Sequence, residues 1–337
     1  MNSSGKFFAA VCVAASLAVG ASTGVDAKTL RMALGDAAGG TQDAAGKKFA
    51  EELAARSGGK FEVQMFHNGQ LGSEQDTVND AAMGLLDISV LAINNITPFS
   101  PTVGILTLPY MILSLDEAVQ LTQGDLGQEL VENTIRDAGV RIVAWSYAGY
   151  RVLSNSKKPV KTLEDLSDLV VRVPKNEIMI DTYKSWGNNP TPMAWSETFT
   201  ALQQGVVDGQ DTPYITIHAM KFYEVQKYIT NIRYLFLLEP IVISEGIFQE
   251  LSEEEQGWVL EAGKAATEFS AQYLQETEAA LKEDLIAKGM EITDPANDEK
   301  EWIDAATTAV WPKFYDSIGG KDKLNAVLTS LGRPTVE

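Results

Sequence analysis

Residues 169–213 read LVVRVPKNEIMIDTYKSWGNNPTPMAWSETFTALQQGVVDGQDTP. The stretch opens on an apolar run, Leu169, Val170 and Val171, followed by Arg172, Val173 and Pro174. β-Branched residues in so short a run mark a buried strand, and the proline ends or edges it. Arg172 is the anomaly. A guanidinium does not shed its charge, so burial demands an anionic partner. That partner is either an Asp or Glu of the same chain or a ligand anion held by two parallel charge-assisted hydrogen bonds. Further on, Trp186 and Gly187 lead into a polar loop punctuated by proline, 188–192, and then to Met193, Ala194 and Trp195. Ser196 is placed to N-cap a short helix over 197–204, which Gly205 would close. A strand and tight turn over 206–213 complete the unit.

Four motifs now stand out in order: FHNGQLGSEQD (66–76), VRVP (171–174), NPTPMAWSETFTALQQGVVDGQDTP (189–213) and HAMKFYEVQKYIT (218–230). Together they closely resemble the DctP-type solute-binding proteins of tripartite ATP-independent periplasmic (TRAP) transporters. The resemblance runs from about Thr29 into the C-terminal helices.

The rest of the chain is read on its own terms. Its 337 residues suffice for two domains. A formal net charge of −19 argues against nucleic acid or an anionic membrane as a partner. Any anion site must therefore be built from particular cations or backbone groups. Residues 1–27 read as a secretory signal: Lys6 is the basic start, 7–20 the apolar core, and Val25-Asp26-Ala27 the small-residue cleavage site. The single cysteine, Cys12, lies inside that apolar core. The mature chain then has no disulfide and no thiol chemistry.

From Leu30 the pattern alternates between strand and helix. Strands are expected over 30–34, 61–65 and 86–91, with helices over 41–56 and 73–83 capped by Thr41 and Ser73. This order implies an α/β layer with parallel strands. Ligands in such layers sit beyond the strands' carboxyl ends, which makes the loops 35–40, 67–73 and 92–95 pocket candidates. The glycine-rich loop 35–40 offers backbone N–H groups for an anion but lacks the dinucleotide spacing. Ser114 with Glu117, and Ser252 with Glu255, read as capping boxes. The second opens a helical pattern that runs to about Lys288, roughly 55 Å long. Residues 222–229 read as helical and aromatic. The two histidines, His67 and His218, stand far apart, and no catalytic or metal-ligating motif occurs.

The resemblance implies a two-lobed α/β periplasmic binding protein with an interlobe cleft, hinge crossings near 146–151 and 234–238, and a long lobe-spanning helix. Lobe I would comprise 28–148 plus 238–277, and lobe II 149–237 plus 278–337. It further implies a non-enzymatic, cofactor-free monomer that closes on a ligand and delivers it to the small and large TRAP permease subunits. On that reading Arg172 clamps the ligand carboxylate, Arg151 adds a second cation, Trp195 forms a wall and Thr212 offers a hydroxyl. For Arg151 a surface or interlobe salt bridge is the ordinary alternative, and for Trp195 it is core packing. Glu74, Asn94 and Asn95 would read ligand hydroxyls. The aromatic residues Tyr147, Tyr150, Trp195 and Tyr214 would suit a ligand with an apolar face, such as a uronate ring. Sialic-acid-binding members carry Asn where Thr212 stands in the D-G-Q-x-x-P turn, which points to a smaller acid. A C4-dicarboxylate, a hydroxy or keto acid and a sulfonate are the alternatives. A periplasmic ligand sensor and the binding protein of an ATP-driven importer are the other classes.

Overall fold

The computed structural model describes residues 27–337. The expected signal segment, with Cys12, lies outside the described residues except for Ala27. In chain order the strands begin with β1 (Lys28–Leu34), β2 (Phe61–Phe66), β3 (Ile88–Val90) and β4 (Val140–Ala144). They continue with β5 (Tyr147–Tyr150), β6 (Val152–Asn155), β7 (Val171–Val173), β8 (Thr191–Pro192) and β9 (Gly209–Thr212). The last four are β10 (Tyr228–Thr230), β11 (Phe236–Leu238), β12 (Ile241–Ser244) and β13 (Glu291–Thr293).

The first lobe is built on the sheet β2-β1-β3-β12-β4. The expected parallel layer is there: Met32 of β1 lies opposite Met65 of β2 and Ile88 of β3. Helical crossovers make this pairing possible. Leu30, Met32 and Leu34 point into a core with Phe49 and Leu53 of the helix Thr41–Arg56. β12 returns late and runs antiparallel to both β3 and β4, so the sheet is mixed. The second lobe holds the sheet β13-β10-β6-β9-β7-β8. β7 lies between β8 and β9 and is parallel to both, with Arg172 opposite Thr191 and Gln210.

Two features join the lobes. The antiparallel ribbon of β5 and β11 carries the chain out of the first sheet and back. The helix Glu253–Ala287 is 35 residues long and opens on the reciprocal Ser252–Glu255 box. Val259, Ala262 and Ala266 pack into the first-lobe core, while Leu285 packs with Val152 and Ile229 under the second sheet. Between those ends the helix supports the crossing. Trp145 N donates to Thr267 Oγ1 at 3.0 Å and Tyr147 N to Ser270 Oγ at 3.3 Å.

Several local expectations are corrected. Residues 222–229 are not one helix: a 3-10 turn, Phe222–Glu224, precedes strand β10. Tyr228, Ile229 and Thr230 suit a strand, and pairing between β6 and β13 outweighs their helical spacing. The helix after the proline loop is Trp195–Gln203 with Ala194 at its N-cap, so Ser196 sits in the first turn. Gly40 takes the N-cap expected for Thr41, and the Thr41 hydroxyl donates to Glu239 instead. Ser73 caps its helix as expected, with a reciprocal box to Asp76. Ser114 accepts from Glu117 N, but the Glu117 carboxylate reaches Leu113 N at 2.8 Å rather than the cap residue.

Candidate functional site

The cavity between the lobes starts from Arg172. Strand β7 carries its side chain inward, 2% exposed. Nε and Nη2 both donate to the Met193 carbonyl, at 3.1 and 2.8 Å. The guanidinium carbon lies 5.4 Å from the Trp195 ring centre. Among the described residues no Asp or Glu forms a salt bridge with it. Burial, and next the like charge of Arg151, pull its pKa down to about 10. A buried guanidinium satisfied by one carbonyl and a ring face has donors left for an anion.

Arg151 is different. It leaves the end of β5 and meets Asp211 of β9, with Nε to Oδ2 and Nη2 to Oδ1 both at 3.1 Å. The Tyr234 hydroxyl donates to the same Asp211 Oδ2. Arg151 lines the cavity, but its charge is already matched inside the protein.

The other wall comes from the first lobe. Glu74, the residue after the Ser73 cap, accepts from Gln42 Nε2 at 2.8 Å, from Ala92 N at 3.4 Å and from Asn95 Nδ2. Burial raises its pKa. Asn94 and Asn95 lie in the 3-10 turn Ile93–Asn95. Asn94 is fully buried, and neither its Nδ2 nor its Oδ1 has a partner. Buried amides normally find hydrogen bonds, so an unsatisfied one on a cavity wall is a docking point. The Thr216 hydroxyl is likewise buried and unpartnered, and Thr212 lines the wall beside it.

The lobes are shut. Trp195 Nε1 donates across the cleft to Asp36 Oδ1 at 2.9 Å, and Asn176 Nδ2 to the Asn94 carbonyl at 3.0 Å. Trp195 also packs edge-on against Phe222, with ring centres 5.5 Å apart. It is therefore both cavity wall and core edge. The empty space between the lobes at this site is about 300 Å³, open solvent at its mouth included.

Seven of the eight expected site residues converge here: Arg172, Arg151, Trp195, Thr212, Glu74, Asn94 and Asn95. Tyr214 does not. Its hydroxyl reaches Asn231 Oδ1 at 3.4 Å, and Lys282 Nζ lies 5.1 Å from its ring centre. Tyr147 bonds Thr122 at 2.7 Å and Tyr150 packs against Phe236, so among the described residues Trp195 is the only aromatic side chain lining the cavity. Loop 35–40 is not an anion cradle. The N–H groups of Gly35 and Asp36 go to Gln42 Oε1, and that of Gly39 goes to Asp43. What the loop presents instead is the Asp36 carboxyl. Loop 67–73 is only marginal: Ser73 lies in the side opening next to Glu74, and His67 pairs with Asp43 at 2.8 Å.

Asp36, Gln42, Thr216 and Glu239 also line the cavity and were not anticipated. Glu239 carried a signal of the same kind as Arg172, a lone charge inside the apolar run 234–243. Burial, and next the nearby Glu74 charge, push its pKa up to about 7. Asp36 stands well above the usual carboxylate range, from burial first and then from Glu239 and Glu74. Among the described residues no group of three His, Cys, Asp or Glu is placed to hold a metal ion. Among the same residues no helix is long and apolar enough to cross a membrane.

The family model "bacterial extracellular solute-binding protein, family 7" (DctP) matches residues 36–318. A solute-binding protein of Verminephrobacter eiseniae is 33% identical, over 86% of each chain. A TRAP periplasmic solute-binding protein of Roseobacter denitrificans, solved with bound L-galactonate, is 30% identical with a TM-score of 0.81, covering 88% of this chain and 98% of that one. Another from the same organism, solved with β-D-glucuronate, is 28% identical with a TM-score of 0.84, covering 92% of this chain and all of that one. The two-lobed fold, the ribbon crossings and a match over most of the sequence agree, and the chain belongs to the DctP family of bacterial extracellular solute-binding proteins.

Proposed function

We propose that this protein is the periplasmic solute-binding subunit of a TRAP transporter, and that its ligand is a small sugar acid such as a uronate. The observation that carries the ligand class is Arg172, a buried guanidinium that forms no salt bridge with a carboxylate among the described residues. The ligand carboxylate completes it. Around it stand the unpartnered amide of Asn94, the Thr212 and Thr216 hydroxyls and the carboxyls of Glu74 and Asp36. Such a set reads hydroxyl groups, which donate and accept together. The structures of relatives with bound galactonate and glucuronate support the same class.

A C4-dicarboxylate fits less well. It needs a cation at each end, and Arg151 is already held by Asp211. Lobe I (28–148, 238–277) and lobe II (149–237, 278–337) part about the β5–β11 ribbon, and the shut form is the one that docks on the permease. The protein acts as a monomer without cofactor or catalytic step.

The test is a thermal-shift panel on the refolded, ligand-stripped protein, with D-glucuronate, L-galactonate, D-erythronate, succinate and a simple sulfonate. A ligand at 100 times its Kd stabilises by about 2.7 kcal/mol. A response to the sugar acids that vanishes in Arg172→Ala is expected. A response to succinate alone, or one that survives Arg172→Ala, would sink this ligand assignment.

A further inference from the structure

Three carboxyl groups of the first lobe meet at one end of the cavity. Asp36 follows β1, Glu74 opens its helix and Glu239 follows β11. The Gln42 amide ties them together. Its Nε2 donates to Glu74 Oε1 at 2.8 Å and Glu239 Oε1 at 3.3 Å, while its Oε1 accepts from Gly35 N and Asp36 N at 2.8 and 3.1 Å. The Thr41 hydroxyl serves the other oxygen of Glu239, and Asn95 that of Glu74. Both glutamates therefore have a protein donor on each oxygen. Asp36 does not. Trp195 serves its Oδ1, while Oδ2 is buried and unpartnered on a residue that lines the cavity.

The surrounding charges do not balance these acids. Arg151 is committed to Asp211. Behind the loop, Asp43 is held by Lys47 and His67, at 2.7 and 2.8 Å. Among the described residues Arg172 is the one cavity cation left. Three ionised carboxyls against one free guanidinium leave two surplus negative charges before any anion enters. Buried like charges this close do not all stay ionised, and a proton binds instead. A carboxylate only accepts hydrogen bonds, whereas a protonated carboxyl also donates one. Oδ2 of Asp36 is where such a donor has no competing use.

We propose that Asp36 is a ligand-contacting residue that works in its protonated form, donating from Oδ2 to an oxygen of the bound sugar acid, so that the cleft holds a proton together with the anion. This rests on the sugar-acid reading for the identity of the acceptor, but not for the proton. Glu239 and Glu74 are the like charges that hold the proton on Asp36, and Arg151 and Arg172 oppose them. Affinity for the acid then falls as pH rises through the titration of the cluster.

The three acids belong to one lobe, so their titration is readable without ligand. Carbon-13 carboxyl NMR of the ligand-free chain is expected to show a midpoint well above the ordinary value near 4. That signal disappears in Asp36→Asn, and its midpoint moves down in Glu239→Gln, which removes a neighbouring charge. If all three carboxyls titrate in the ordinary range, the proposal is overturned and the sugar-acid reading stands. Calorimetry with D-glucuronate in two buffers of different ionisation enthalpy adds a second readout. Below the cluster midpoint the wild type is expected to carry its proton through binding, and above it to take up about one proton per ligand by linkage. In Asp36→Asn the uptake is lost. Proton release by the wild type would overturn the proposal. If glucuronate fails to bind while the raised midpoint is present, the uronate assignment falls and the protonated Asp36 remains.

Discussion

Arg151 and Asp211 meet fork to fork across β6 and β9, two contacts of 3.1 Å, with both side chains buried. That pairing separates the two cavity arginines into a structural cation and a free one. Removing one partner of a buried ion pair strands the other, at a cost of about 3–5 kcal/mol. Arg151→Met is therefore expected to lower the urea midpoint sharply, because Asp211 keeps only Tyr234. A midpoint within about 1 kcal/mol of wild type would mean that water takes over the solvation of Asp211.

Arg172→Met should do the opposite. The wild-type side chain is a buried cation that no carboxylate among the described residues pairs with, so replacing it with an apolar chain of similar length relieves desolvation. Stability of the ligand-free protein is expected to hold or rise slightly. Affinity for the acid is expected to fall by about 2–5 kcal/mol, the usual loss when one side of a buried charge pair is truncated. Arg172→Lys restores only part of it, since an ammonium does not make the planar two-point contact. Titration calorimetry reads the binding and urea melts read the stability. Equal losses in both would show that Arg172 is structural.

The acid cluster sets a pH dependence of known sign. Burial, with the neighbouring carboxyls, raises Asp36 well above its ordinary value and Glu239 to about 7. Between the ordinary carboxylate range and about pH 7 the folded chain thus binds more protons than the unfolded one. Stability of the ligand-free protein falls as pH rises through that window. Carboxyls with depressed values, such as Asp43 held by Lys47 or Asp76 held by Ser73, act in the opposite sense. They do so only below the ordinary range, so they leave the window from pH 5 to 8 clear. Urea midpoints at those two pH values should differ in wild type and converge in Asp36→Asn and Glu239→Gln. Parallel behaviour of all three chains would refute the assignment.

The first layer was legible because its apolar residues alternate in strands and recur at helical spacing between them. Arg172 was legible because a charge inside a β-branched run is conspicuous. Glu239 offered a similar cue within 234–243 and was overlooked. Asp36 carried no such cue, since an Asp in a glycine-rich loop is ordinary turn chemistry. The partner of Arg151 could not be read at all: the antiparallel register of β6 and β9 brings Asp211 opposite Leu153, next to a residue 60 positions earlier. Tyr214 failed for a geometric reason. It opens a new helix after Pro213, and that helix turns Thr216, not Tyr214, to the cavity.

Gly263 tests how the long helix is seated. Strand β4 and the helix Glu253–Ala287 approach so closely there that a Cβ on Gly263 would lie 1.9 Å from the Val143 carbonyl oxygen. That oxygen belongs to the backbone of a strand paired on β12, so it does not swing aside as a side chain would. In a helix interior alanine is ordinarily favoured over glycine by about 1 kcal/mol, and a substitution judged by propensity alone would be stabilising. Here the contact reverses the sign. Gly263→Ala must push the helix off the first sheet or bend β4, and overpacking of this kind costs about 1–3 kcal/mol or more. Four residues on, Thr267 accepts the Trp145 N–H at the start of the crossing, so the displacement reaches the β5–β11 ribbon. The expected result is a lower urea midpoint together with weaker ligand binding. Gly257, half-buried near the start of the same helix with nothing near its Cβ position, is the internal control. Gly257→Ala should raise the midpoint, and a Gly263→Ala protein that also gained stability would show that the helix is free to slide.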